Sequence, residues 1–294
     1  MDDTLTVTWT DPRGIVWDLT SGDRGVKLDI GQSGLGWSRI RHSLIRDDTA
    51  LAASRVAPAE LDLIIRLDDT KYAEDYYRLS SEWWEQANSP FMEGTLAVAR
   101  PGRAPRTRRA RLRESPGTTW PYDPGLRGQE RPAELWPLLC MSPWWSGPEQ
   151  EIAHRYNTNA PTRLYYTDDG HGWPLQIGAS SHATGKHITN TGAGPMWPNW
   201  RIRGPMAGAR VGVADDLLAV AGPLGSGDEM IIVTDPTRRA VWDVDTGDTL
   251  FHLVSGTWAP IPAGQRVPVV IDVDGIAPGA AIIATAAEQH AQAW

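Results

Sequence analysis

Gly185-Lys186-His187 begins like a phosphate-binding loop but lacks the parts such a loop needs. The glycine that should stand five residues earlier is Ser180, and the position after the lysine, where a hydroxyl holds magnesium, is His187. Without those two groups the backbone cannot cradle a phosphate, so this reading is rejected. Asp243-Val244-Asp245-Thr246-Gly247-Asp248 opens like a calcium loop. Its twelfth position, where a bidentate Glu must close the coordination sphere, is Val254, and its glycine comes one place early. An acidic β-turn accounts for it better. His171, His182 and His187 share a region but not a zinc-binding spacing, and Cys140 is the only thiol. Cys140 sits in the apolar run Leu138-Leu139-Cys140-Met141 and reads as a small core residue rather than a nucleophile. No G-x-S-x-G elbow surrounds a serine. No carboxylate pair can be singled out as a glycosidase acid and base, since that pairing is defined in space. The reading is therefore no catalytic residue, no metal site and no cofactor.

Two residue types remain that bind without catalysing. Arg100, Arg103, Arg106, Arg108, Arg109, Arg111 and Arg113 crowd one segment. An arginine run can bind phosphates. In Arg109-Ala110-Arg111-Leu112-Arg113 the arginines alternate, which reads as the solvated face of a β-hairpin. The chain has a net charge of -8, so a contact with an acidic neighbouring subunit fits better than sequence-specific DNA. Arg106, Arg108, Arg109 and Arg111 are the candidate interface residues. The second type is tryptophan, with 15 Trp against 2 Phe. Trp173, Trp197 and Trp258 are candidates for stacking on a glycan, although core or interface packing is the commoner fate of such rings.

The elements that would position these residues are mostly strands. The chain has 294 residues, a length suited to two domains, with 41% hydrophobic residues and with Gly 29 and Pro 23 spread throughout. Leu5 to Thr10 alternates apolar and polar, Asp11-Pro12-Arg13-Gly14 turns, and Ile15 to Leu19 returns, which makes a β-hairpin. Gly31, Gly34 and Gly36 mark a loop, Leu61 to Leu67 a strand and Thr95 to Ala99 another. Between them Tyr72, Tyr76, Leu79, Trp83 and Ala87 recur at helical steps, predicting a helix over about 70–87. Asp69 or Thr70 would cap it, and Asn88 and Pro90 would end it. Residues from about 100 to 133 read as an extended arm, and Leu135 to Met141 as a buried strand interrupted by Pro137. A boundary near Ser146-Gly147-Pro148 separates an N-terminal β domain with one helix, 1–147, from a C-terminal β-sandwich of jelly-roll type, 148–294. Strands are expected there at 173–178, 186–190, 199–203, 209–213, 217–221, 229–234, 239–243, 249–253, 267–273 and 280–286. From about 149 onward there is little helical periodicity until the last dozen residues. The N-terminus shows no signal peptide, and no apolar run reaches the ~18 residues that span a membrane. The expectation is a soluble chain with no membrane partner.

Several segments, in order, resemble the distal tail protein family of long-tailed phages, especially those of actinobacteria. The opening hairpin with Trp17-Asp18-Leu19 and the Gly31 to Gly36 segment are similar to the family's. So is the aromatic helix followed by Gly94-Thr95-Leu96-Ala97-Val98. Trp136 to Cys140 and then Ser142-Pro143-Trp144-Trp145-Ser146-Gly147 resemble another family segment, with Ser142 where the family has Asp. Thr189 to Gly192, Pro195 to Pro205, Thr234 to Ala240 and Pro260 to Gly264 match later turns, and the chain closes on Trp294. No single motif is specific; their order carries the likeness. The resemblance implies a mainly β fold whose second domain is galectin-like. It implies a non-catalytic virion protein of the tail tip, assembled in the host cytoplasm. Its partners would be itself, as a ring and most simply a hexamer, the tail tube protein, and a tail-tip hub or tail-associated protein. The genome would pass through the ring. A second reading is a carbohydrate-binding module that attaches the virion to a host-surface glycan through the C-terminal domain. A third, a wall-degrading hydrolase, has no nameable site.

Overall fold

The computed structural model describes residues 4–35, 40–44, 51–56, 59–67, 73–115, 123, 133–140, 142–155, 181–183 and 185–294. It is mainly β and divides into two compact units: Met1–Pro148 with Gln289–Trp294, and Glu149–Glu288. The break falls one residue after the expected boundary. The end of the chain, expected in the second domain, returns to the first.

Unit 1 contains β1 (Thr6–Thr10), β2 (Val16–Asp18), β3 (Val26–Leu28), β4 (Ile40–Leu44), β5 (Leu51–Val56) and β6 (Ala59–Leu67). Helix α1 (Ala73–Ser81) and a π-helical turn, Glu82–Ala87, follow, then β7 (Gly94–Ala99), β8 (Arg106–Leu112), β9 (Ala133–Cys140) and the start of β10 (Trp145–Arg155). β4 and β5 pair with each other. The other strands form an antiparallel succession β2-β1-β7-β8-β9-β6-β3. Its two ends are drawn together, since Leu28 N–H donates to Leu19 O at 2.8 Å just beyond β2. Alternation sets the inner face. Trp9, Leu96, Trp136, Leu61, Leu63, Ile65 and Leu67 are fully buried, while most of their strand neighbours, the buried Pro137 excepted, point outward.

The helical residues lay an aromatic stripe on that face, with Tyr76, Leu79, Trp83 and Ala87 all buried as their spacing predicts. Tyr72 and the expected caps Asp69 and Thr70 lie outside the described residues. Asn88 ends the helix in extended conformation, its amide donating to Trp83 O at 2.9 Å. Trp9, Trp136, Trp83 and Trp17 form a continuous edge-to-face string, with centroids 5.2, 5.0 and 5.2 Å apart. Two glycines let this core close. A Cβ on Gly94 would stand 2.3 Å from the Trp9 ring. Gly34 has φ +91 and a Cβ on it would stand 2.7 Å from Leu61 Cδ2, so a side chain there meets both strain and a clash.

Unit 2 contains the rest of β10, then β11 (Ser181–Ala183), β12 (His187–Thr189), β13 (Asn199–Arg203), β14 (Met206–Val213), β15 (Asp216–Leu224), β16 (Glu229–Val233), β17 (Ala240–Asp243), β18 (Val254–Gly256), β19 (Arg266–Asp274) and β20 (Ala281–His290), whose last two residues belong to unit 1. One sheet runs β17-β16-β13-β20 with β10 beyond β20. The other is centred on β19, which carries β11 and β12 on one side and β14, β15 and β18 on the other. Trp200, Ile202, Met230, Ile232, Ile282 and Ala284 from the first sheet meet Val211, Leu218, Val220, Val269, Ile271 and Val273 from the second in a single core. That is a two-sheet sandwich. Most expected strands fall within these bounds, and 199–203 coincides with β13. The strand expected at 249–253 is instead a 3-10 turn at Phe251–Leu253 leading into β18. The closing residues are the strand β20 rather than a helix: Ile282, Ala284 and Ala286 alternate inward, and period two decides the element. The strand expected at 173–178 lies outside the described residues.

Candidate assembly surface

β8 is not an arm. It pairs with β7 along one edge, and with β10 and β9 along the other, so the central part of the expected 100–133 arm is built into the sheet. Apart from 113–115, 123 and Ala133, the part of the arm beyond β8 lies outside the described residues. The pleat splits its arginines between two faces. Arg109 is exposed and Arg111 half-buried on the outer face, while Arg108 is 2% exposed. Arg108 therefore does not belong to a solvated arginine row. Its Nη2 donates to Pro143 O at 2.8 Å and its Nε to Trp144 O at 3.2 Å, and the guanidinium lies 4.4 Å over the Trp145 ring. Burial lowers its pKa to about 10, which leaves it charged at neutral pH. Nearby Cys140 is buried, and burial pushes its thiol up to about 11 despite the attraction of Arg108. Such a thiol is unreactive.

Arg106, Arg109 and Arg113 are also engaged within the unit. Arg106 Nη1 donates to Gln292 O at 3.0 Å and to Trp294 O at 2.7 Å, which holds the returning C-terminal segment. Ala293 is buried there and donates from its N–H to Leu35 O. Arg106 and Arg108 stand two apart on one strand. Between them they fasten the chain on both sides of the inserted unit: Pro143-Trp144 before it leaves and Gln292–Trp294 after it returns. On the outer face Arg109 pairs with Glu93 at 3.0 Å, and Arg113 meets Asp62, Glu114 and Glu60 at 3.0, 2.7 and 3.5 Å. Each such exposed pair is worth about 0–1 kcal/mol. Their combined effect is to offset the positive field that a bare arginine run would present.

Among the described residues of unit 1, the most exposed large apolar group lies beside this face. Phe91 is 89% and Met92 55% exposed, yet their loop is held firmly. The N–H groups of both donate to Ser89 Oγ at 3.1 and 3.0 Å, Ser89 O accepts from Leu112 N–H, and Glu93 is tied to Arg109. The sequence reading passed over this tip because two apolar residues after a helix-ending Pro90 look like any loop. Both phenylalanines of the chain, Phe91 and Phe251, prove to be exposed.

In unit 2, Trp258 is half-buried against the core, with the Arg239 guanidinium 4.8 Å over its ring and Phe251 at 6.2 Å. The covered ring face is the one a sugar would need. Trp197 is half-buried, and Trp173 lies outside the described residues. The acidic turn is a local structure: Asp243 Oδ1 accepts the N–H groups of Asp245 and Thr246 at 2.9 and 2.8 Å. His187 is exposed with Nδ1 3.1 Å from Gly185 O, and His171 lies outside the described residues. Among the described residues no three His, Cys, Asp or Glu side chains gather as a metal site would require.

No protein-family model matches the chain, and no curated protein matches it. Solved structures do. The Dit protein of phage SPP1, described as a paradigm of the hub adsorption apparatus in phages infecting Gram-positive bacteria, is similar with TM-score 0.58 and 12% identity. That match covers 97% of this chain and 99% of that one. A chain of the phage P2 baseplate in its activated conformation with calcium gives TM-score 0.56 and 13% identity, covering 96% of this chain and 98% of that one. The strontium form of the same baseplate gives the same values. The two units thus reproduce, end to end, the fold of a phage distal tail protein.

Proposed function

We propose that this chain is a structural subunit of a phage tail tip, which assembles head to tail into a ring between the tail tube and the baseplate and leaves a central passage for the genome. The observation that carries this reading is the extent of the fold match. Both units, in order, account for nearly all of this chain and nearly all of a known adsorption hub. The side chains support a scaffold rather than an enzyme. The arginines hold strands and chain ends, Cys140 is inert, and the acidic turn satisfies its own backbone.

A closed ring needs a contact that is not self-symmetric, one patch meeting a different patch on the next copy. The rigid apolar tip Phe91–Met92, rimmed by Glu93, Arg109 and Arg111, is the patch we assign to that contact. A protruding aromatic with a polar rim is the usual anatomy of an interface hot spot. Arg106 and Arg108 leave the candidate interface set, because their role is internal.

Negative-stain microscopy and sedimentation of the purified chain, alone and with its tail neighbours, test the reading. A six-fold annulus is expected. Phe91→Asp should leave the monomer folded and abolish the annulus. A chain that stays monomeric in every mixture sinks the proposal.

A further inference from the structure

We propose that unit 2 carries a binding site at Arg239, Phe251 and Trp258 for a saccharide chain that bears an anionic group, carboxylate or phosphate. Arg239 is exposed, and among the described residues its guanidinium makes neither a hydrogen bond nor an ion pair. It is nevertheless fixed in place, lying 4.8 Å over the Trp258 ring. Stacking uses the flat face of a guanidinium and leaves its in-plane N–H groups pointing outward, ready to receive an oxyanion in a fork. This sets Arg239 apart from Arg106, Arg108, Arg109 and Arg113, all engaged with protein oxygens.

Phe251 supplies an apolar plate. Its ring is 44% exposed and stands 6.2 Å from that of Trp258, tilted by 43°. The Trp258 indole N–H likewise has no protein partner among the described residues. A plate for the C–H face of a sugar, a donor for a hydroxyl and a fork for an anion thus converge on one spot. A sugar cannot lie flat on the Trp258 face that Arg239 covers, so the plate is Phe251. The supports are rigid. Leu250 N–H donates to Val241 O, Leu253 N–H to Leu250 O, Thr257 N–H to Leu217 O and Ile261 N–H to Met196 O. A site held this firmly loses little freedom on binding. The choice of a saccharide over an acidic peptide rests on the tail-tip position proposed above, which brings this surface towards a host-cell envelope.

The test is calorimetric titration of the full chain at about 0.15 M salt, where loose charge attraction is screened. The probes are an oligogalacturonate hexamer, a phosphomannan oligosaccharide, neutral maltohexaose and an aspartate-rich peptide. Saturable binding is expected for one or both anionic sugar probes and for neither control, and the stronger of the two identifies the anion. Arg239→Ala should weaken binding about tenfold, with Arg239→Lys restoring only part of it because an ammonium has no fork. Phe251→Ala should weaken it about fivefold. Both side chains are exposed, so circular dichroism should show unchanged folding. No saturable binding of either anionic sugar overturns the site, as do equal binding of maltohexaose or the peptide and indifference to Arg239→Ala. Microscopy judges the ring separately: an annulus without sugar binding overturns this inference alone, and binding without an annulus overturns only the ring.

Discussion

The two units solve the same problem, burying a β-sheet face, with opposite chemistry. Unit 1 packs Trp9, Trp17, Trp83, Trp136 and Trp145 and closes charged or polar groups inside with them: Asp11, Asn88, Arg108 and Glu134. Unit 2 fills its sandwich almost wholly with aliphatic side chains, and among its described residues the buried polar ones are the neutral Asn190 and Thr234. A Trp core carries polar handles, and Trp9, Trp17 and Trp136 each place theirs on one partner, while those of Trp83 and Trp145 have none among the described residues. Trp136 Nε1 donates to Asn88 Oδ1 at 2.7 Å and Trp9 Nε1 to Ala87 O at 3.0 Å. Such a core is directional, whereas an aliphatic core of the right volume tolerates exchange. The unit we assign to ring assembly is thus the one whose geometry is most tightly specified.

The contrast is sharpest at Trp136, where the Trp string, Asn88 and β9 meet. Trp136→Ala should cost about 3–5 kcal/mol, through the cavity and the unpaired Asn88. Ile202→Val in the unit 2 core should cost only about 0.5–1.5 kcal/mol. Urea unfolding with hydrogen exchange resolved by segment measures both. Equal costs would break the comparison.

Arg108 comes next in size. Replacing it with Met leaves the carbonyls of Pro143 and Trp144 without their donor, a loss of about 1–3 kcal/mol, reduced by removal of a desolvated charge. Lysine should not rescue the stability, since a point charge cannot serve both carbonyls and the Trp145 face as a planar fork does. Faster exchange confined to 142–148 is the expected signature. An unchanged pattern there would mean that β10 holds this segment without Arg108.

How much of this was legible in the sequence follows from which forces act locally. The opening hairpin, the helix stripe and most unit 2 strands were readable because period two or 3.6 is written in neighbouring residues. The Asp11 turn was readable too: its carboxylate accepts from the N–H groups of Arg13 and Ile15 and from the Arg13 side chain. The inward turn of Arg108 was not, because its partners lie some thirty-five residues away and alternation alone cannot say which face is inside. The return of Gln289–Trp294 to unit 1 was hidden for the same reason, since it depends on Arg106 and Leu35. At the candidate site, Trp258 was flagged by residue type. Arg239 and Phe251 became partners only through folding, and Phe91 carries no local mark of exposure. Absence of a catalytic cluster was expected from sequence spacing, but spacing cannot show what tertiary packing brings together.

The smallest effect probes the same comparison through pH. Glu134 is buried in unit 1, where it accepts from Tyr76 OH at 3.1 Å and from Trp84 Nε1 at 2.8 Å. Burial raises its pKa above the ordinary carboxylate value, and the two hydrogen bonds, which favour the charged form, only partly oppose this. A carboxyl raised in the folded state contributes stability that is fully present below its unfolded pKa and is lost as pH rises through the folded one. Asp11 has the opposite sign. Burial pushes it up, but its bonds to Arg13, Ile15 and Trp17 outweigh that and hold it below the usual range, so its contribution is lost as pH falls. Glu134→Gln separates the two. The amide oxygen can accept from Trp84 while the amide nitrogen donates to the Tyr76 oxygen, so the variant keeps both contacts without a titrating group. Relative to the parent it should gain stability as pH rises from about 4 to 8, and the gain should appear in unit 1 exchange and not in unit 2, where Glu134 has no contact among the described residues. A pH-independent difference between parent and variant would show that Glu134 titrates with the same pKa in the folded and unfolded chains.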